Sequence, residues 1–193
     1  MKRKVLFTVI VLMLALICLT ACNGYSSTLS TLTKLIKVNY SEIMLNVETA
    51  TPEITLSGIY NFKFESGSTT VDYSYERLND LSMDGSNERL IRVSGSAVVR
   101  DGKVIQDGVE VTLPTEAGFN ISFKPAFFSN YKITSVKFEA NVINPQGFTG
   151  NSDLVCSDMR VKVLHNKNSL TQLLITYVSE NGSNVSITYL FTK

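Results

Sequence analysis

The chain is short of the residues that most often carry chemistry. It has one histidine, His165. A lone imidazole gives no His/Cys metal cluster and no evident catalytic triad. Asp153 and Asp158 lie near it in sequence, but loop aspartates are common turn residues. Of three cysteines, Cys18 and Cys22 fall inside or just after an apolar N-terminal run, which leaves Cys156 for the body of the protein. One thiol makes no intramolecular disulfide, and a reactive role would need a setting that lowers its pKa. No glycine-rich phosphate loop opens a helix, and Ser94-Gly95-Ser96 lies inside a strand pattern, not at a nucleophile elbow. No Lys/Arg run suggests nucleic acid, and no second apolar stretch is long enough to span a bilayer. Carboxylates from distant strands can still converge, so an enzyme ranks third among the functional readings. No cofactor or metal is expected.

What the chain does have begins at its N-terminus. Lys2-Arg3-Lys4 precedes an apolar run from Val5 to Leu19, which ends in Leu19-Thr20-Ala21-Cys22. A basic n-region, a short apolar h-region and a small-residue cleavage site are the parts of a secretory signal. This segment resembles a bacterial lipoprotein signal peptide with its lipobox. The resemblance implies cleavage between Ala21 and Cys22 and acylation of the Cys22 thiol. One myristate-sized chain binds only reversibly, with K about 10⁴ M⁻¹, whereas two or three make a lasting anchor. Ordinary cleavage to a secreted protein and retention of the run as a membrane span are the competing readings. The expected location is extracytoplasmic, on a bacterial cell membrane: the outer face of the cytoplasmic membrane or the outer membrane.

Without residues 1–21 the chain keeps 172 residues, enough for one domain with a core. The leader takes three of the 18 basic residues, so 15 face 17 acidic ones. That balance carries no footprint for nucleic acid. Residues 22–27 read as a short polar tether and 28–193 as a single domain. Leu29, Leu32, Leu35 and Ile36 recur at helical spacing, which predicts one amphipathic helix over Thr28–Val38.

Almost everything beyond alternates with period two. Ile54, Leu56, Tyr60, Phe62 and Phe64 share one face of a run in which Gly58 predicts a bulge or a close approach. Val71, Tyr73 and Tyr75 follow, then Ile91 to Val99, closed by Asp101-Gly102, a strong hairpin signal. Asp107-Gly108 predicts another turn, and Pro114 to Lys132 reads as irregular and aromatic-rich. Strands at Val136–Val142, Val155–Val163, Leu170–Ser179 and Asn184–Thr192 complete the series. Clean alternation would put Cys156 on the face of Asp158, Arg160 and Lys162, a conflict that predicts a bulge or the start of a loop there.

The expected fold is mainly β: a curved antiparallel sheet or partial barrel of about nine to ten strands with one N-terminal amphipathic helix. A two-sheet sandwich is the alternative. The helix followed by strands at Ile54–Glu65 and Thr70–Leu78 resembles, by element order, the start of LolA-like lipoprotein-carrier folds. That resemblance implies an unclosed sheet that wraps a helix and encloses acyl chains. Tyr60, Phe62, Phe64, Tyr73 and Tyr75, facing Leu32, Leu35 and Ile36, are the candidate lining of an apolar site. The leading expectation is a non-enzymatic binding module for an apolar or lipid ligand, held to the membrane through Cys22. A surface structural or protein-interaction lipoprotein with a filled core and an envelope protein partner stands second.

Overall fold

The computed structural model describes residues 24–66, 68–80, 88–100, 103–110 and 120–193. Ala21, Cys22 and the apolar run before them lie outside these residues. Helix α1 covers residues 24–35. Eleven strands follow among the described residues: β1 Glu42–Ala50, β2 Thr55–Glu65, β3 Ser68–Asp80, β4 Glu88–Arg100, β5 Lys103–Gln106, β6 Val109–Glu110, β7 Phe128–Ile133, β8 Lys137–Val142, β9 Cys156–His165, β10 Leu170–Ser179 and β11 Asn184–Thr192. A short helix, α2 (Pro145–Thr149), sits between β8 and β9. The strands form one curved, unclosed antiparallel sheet rather than a sandwich, in the order β6-β5-β4-β3-β2-β1-β11-β10-β9-β8-β7. No helix among the described residues is long and apolar enough to cross a membrane.

The alternation produces a two-faced sheet. Register places Leu45 beside Tyr60 and Tyr189, Tyr60 beside Tyr73, and Leu173 beside Val163 and Tyr189. These residues form the inner face, and all of them are buried. Leu29, Leu32 and Leu35 of α1 join the same core. Ile59, the exception in the β2 pattern, points to the outer face and is exposed.

Three local features depart from the simple pattern. β7 lies inside the segment that reads as irregular. Phe127-Phe128 puts two buried rings side by side, and Asn130 at φ 48 marks a register break, so the period is lost. β3 and β4 also run further than expected, pairing out to Leu78↔Leu90 and beyond. At Cys156 the anticipated irregularity is present: Asp158 has φ 51 and the β9–β10 register shifts beside it. Asp107-Gly108 forms a tight turn with both residues at positive φ, 51 and 83, as a type I′ hairpin requires.

Among the described residues α1 already includes 24–27, ahead of the predicted Thr28 and within the stretch that reads as a tether. Gly24 to Ser27 show no apolar period, but Tyr25 stacks on Tyr131 with centroids 3.8 Å apart. Its hydroxyl donates to the Pro125 carbonyl at 3.2 Å. The Thr28 and Thr31 hydroxyls donate back to the carbonyls of Gly24 and Ser27 at 2.9 and 3.0 Å.

The other end of α1 is closed by Tyr40. Its buried hydroxyl donates to the Leu35 carbonyl at 2.7 Å and accepts from the Leu170 N–H at 2.9 Å. One oxygen thus satisfies a helix-end carbonyl and the first amide of β10. Burial raises the Tyr40 pKa. Tyr40→Phe keeps the ring on Phe191 but orphans two buried backbone groups. The expected cost is about 2 kcal/mol, read as a lower urea midpoint at unchanged slope. An unchanged midpoint would show that water replaces the hydroxyl.

On the outer face, β2, β3 and β4 are laced by carboxylates. Glu76 accepts from Arg92 at 2.7 Å and from the Ser57 hydroxyl and N–H at 2.8 and 3.1 Å. Asp72 accepts from Lys63 at 2.8 Å and Ser96 at 2.6 Å. Arg92, then Ser57, hold Glu76 below the usual carboxylate range; Lys63, then Ser96, do so for Asp72. A carboxyl with a depressed folded pKa stabilises above its unfolded value of about 4, and the gain is lost as pH falls through the folded value. Urea midpoints should therefore drop as pH falls below about 4, and drop less steeply in Glu76→Gln. Identical acid slopes would remove Glu76 from this account.

Candidate functional site

Among the described residues the inner face carries an open apolar hollow at the C-terminal end of α1. Its floor is a row that crosses three strands, because Ile43 pairs with Phe62 on one side and Phe191 on the other. Phe64, Tyr189 and Leu173 flank that row. Ile36 and Lys37 overhang it from the turn after α1, and Asn120 and Ile121 close the remaining side. The groove holds about 340 Å³. It continues past Ile36, Ile43 and Phe64 into a neighbouring recess edged by Val38, Asn39 and Glu65.

The rim is fixed by backbone bonds. Asn120 N–H donates to the Thr149 carbonyl at 2.7 Å and Ser122 N–H to the Phe148 carbonyl at 2.9 Å. α2 thus holds the 120–122 stretch in place. α2 itself is capped by Asn144, whose side-chain oxygen accepts from Gly147 N–H at 2.8 Å.

The expected lining residues divide into two groups. Ile36, Phe62 and Phe64 do line the groove. Leu32, Leu35, Tyr60 and Tyr73 are buried in the core. Tyr75 is half-buried beside Tyr60, at a small hollow it shares with Val47, Leu56 and Gly58. Sequence reading missed Ile43, Leu173, Tyr189 and Phe191. Tyr189 and Phe191 alternate onto one face of β11, but nothing in sequence spacing sets β11 beside β1.

The tyrosines fill the far wing of the sheet by lying flat on glycines. A Cβ at Gly58 would meet the Tyr60 ring at 3.0 Å. This is the close approach that Gly58 foretold, with no bulge in the β1–β2 register. A Cβ at Gly95 would fall 2.7 Å from the Tyr73 hydroxyl oxygen, which donates to Gln106 Oε1. Rings thus cover this wing where a second layer would otherwise be needed.

Polar chemistry is sparse. No group of three or more His, Cys, Asp or Glu is placed to hold a metal among the described residues. His165 Nδ1 lies 3.2 Å from the Asn166 carbonyl and Nε2 is buried without a hydrogen-bond partner; no bond joins the ring to Asp153 or Asp158. Cys156 is half-buried, and burial pushes its thiol pKa up, away from reactivity. A trough of about 470 Å³ on the outer face is edged by Lys132, Glu139, Arg160 and Lys162. Its lining of charged tips suits solvent rather than an apolar ligand.

No protein-family model and no curated protein sequence matches the chain.

Gly95→Ala should force Tyr73 off its glycine and away from Gln106. Overpacking of this kind costs about 1–3 kcal/mol, read in urea unfolding. Gly95→Ala with Tyr73→Phe should recover part of that loss, because the clashing oxygen is gone. No recovery would place the strain in the backbone instead.

Proposed function

We propose that the protein is a membrane-anchored extracytoplasmic lipoprotein whose domain binds an apolar or lipid ligand in the groove at the end of α1. The observation that carries the proposal is the groove itself. Its 340 Å³ falls within the range of about 300–1,000 Å³ for small-molecule sites. Its floor is aromatic and aliphatic, and its polar groups, Lys37 and Asn120, stand at the edge. The volume is near the low end of that range, which suits a single acyl chain or a compact apolar molecule. Support for the anchor comes from Leu19-Thr20-Ala21-Cys22 and the apolar run before it, with Cys22 as the acylated residue. The LolA-like resemblance agrees with a helix set against an unclosed sheet, and it contributes analogy rather than residues.

A second reading is favoured by the packing beneath α1. Leu29, Leu32, Leu45, Tyr60 and Phe138 are at most 1% exposed, so the core under the helix is filled. A surface interaction lipoprotein would need no more than that.

The chain contains no tryptophan, so Phe62→Trp in the full chain gives a background-free reporter in the groove floor. Added fatty acid or lysophospholipid should shift its emission to the blue and saturate. Ile36→Glu in the same background should weaken that response by about tenfold, the ratio that 1.4 kcal/mol represents. An emission that ignores both lipids, with no co-purifying adduct in native mass spectrometry, would leave the filled-core reading.

A further inference from the structure

The open side of the sheet is covered by a layer of unusual charge. Its two members are α1 and the 120–127 segment. They are joined by Tyr25 to the Pro125 carbonyl at 3.2 Å and by the Thr33 hydroxyl to the Phe123 carbonyl at 3.3 Å. Residues 24–41 and 120–127 together contain three lysines and no Asp or Glu, in a mature chain of 15 basic and 17 acidic residues. Lys34, Lys37 and Lys124 are exposed, and none of them has a carboxylate partner among the described residues. Apart from Lys34, the exposed residues of α1 are Gly24, Ser26, Ser27, Ser30 and Thr31, all uncharged.

Where the described chain begins matters equally. Cys22 stands two residues before Gly24, a reach of at most about 7 Å. The twelve residues of α1 extend about 18 Å from that point at 1.5 Å each. A domain tied so closely to a bilayer must rest some face on the headgroups. The outer face of β1–β4 carries Glu42, Glu48, Asp72 and Glu76 against Lys63 and Arg92, which pair with Asp72 and Glu76, and an anionic surface repels the acidic surplus. The α1 layer carries only cations, and Tyr131, stacked on Tyr25 beside the attachment point, adds the amphipathic ring that favours a membrane interface.

We propose that the α1 layer, through Lys34, Lys37 and Lys124, is the face that the protein lays against an anionic bilayer surface. The proposal rests on the anchoring at Cys22 put forward above. It also has a consequence for the groove: Lys37 and Ile36 form its overhang. In this orientation the groove opens at headgroup level, and an acyl chain passes from bilayer to protein without crossing water.

The test uses the full chain, purified from membranes and reconstituted into phosphatidylcholine vesicles with and without phosphatidylglycerol. A membrane-impermeant amine reagent reads each lysine by mass spectrometry. Lys34, Lys37 and Lys124 should label about fivefold more slowly on the anionic vesicles, following the attraction each lysine feels near such a surface. Lys103 and Lys162 should label equally on both. Salt near 1 M, where screening acts within about 3 Å, should abolish the difference. In Lys34→Glu with Lys37→Glu, two exposed changes, the protection of Lys124 should also vanish. A chain that floats with the vesicles while all lysines label alike overturns this orientation and leaves anchoring intact. A chain that does not float overturns the anchoring reading, and this proposal with it.

Discussion

The pairing of β1 with β11 is the constraint on which the rest of the molecule depends. It runs without a break from Glu42↔Thr192 to Ala50↔Asn184, and Ser41 extends it by donating N–H to the Thr192 carbonyl at 2.9 Å. On its other edge β1 pairs with β2 over its full length. Remove β1 and two unconnected sheets remain, β2 to β6 and β7 to β10 with β11. The same strand brings Phe62 and Phe191 to either side of Ile43, so the groove floor exists only because this register holds. Ladder bonds and inner-face burial reinforce each other here, since a slip of one residue would turn Leu45 and Val47 to the outer face.

Much of the sheet was legible because its inner face is buried and its outer face is wet, which writes a period of two into the chain. The Cys156 irregularity shows how far that signal reaches, since a break in alternation there coincides with a register shift, whereas Ile59 breaks the pattern in composition alone and sits exposed on the outer face of an unbroken strand. The signal failed where a different interaction took over. β7 is hidden by Phe127-Phe128 and the turned-out Asn130. The first turn of α1 is hidden because its anchor is one aromatic stack on a residue more than a hundred positions away. The candidate site was half legible for a related reason. Phe62 and Phe64 announce an apolar face, but a groove is a property of neighbouring strands, and the neighbour of β1 lies at the far end of the chain.

The division of the tyrosines explains why the groove lies at the rim. Tyr60 and Tyr73 lie over Gly58 and Gly95 and fill the wing that a carrier with an internal chamber would leave open. Tyr40 closes the space between α1 and β10. What remains is the edge where α1 ends before the sheet does, and there Ile36 reaches over a floor that no further described element covers.

The opening of the sheet falls between β6 and β7, strands adjacent in sequence, while the two ends of the chain meet in its middle. Chain order and assembly order therefore conflict. During synthesis β1 emerges well before its second neighbour β11, and Ser41 must find Thr192 across 151 positions. Closing so long a loop is entropically costly and makes such topologies slow to form. Until β11 arrives, the edge of β1 is bare, and a sticky strand edge of this kind invites pairing with other chains. A chain cut short before β11 loses a central strand rather than a peripheral one, so a segment made late is also one the architecture can least do without.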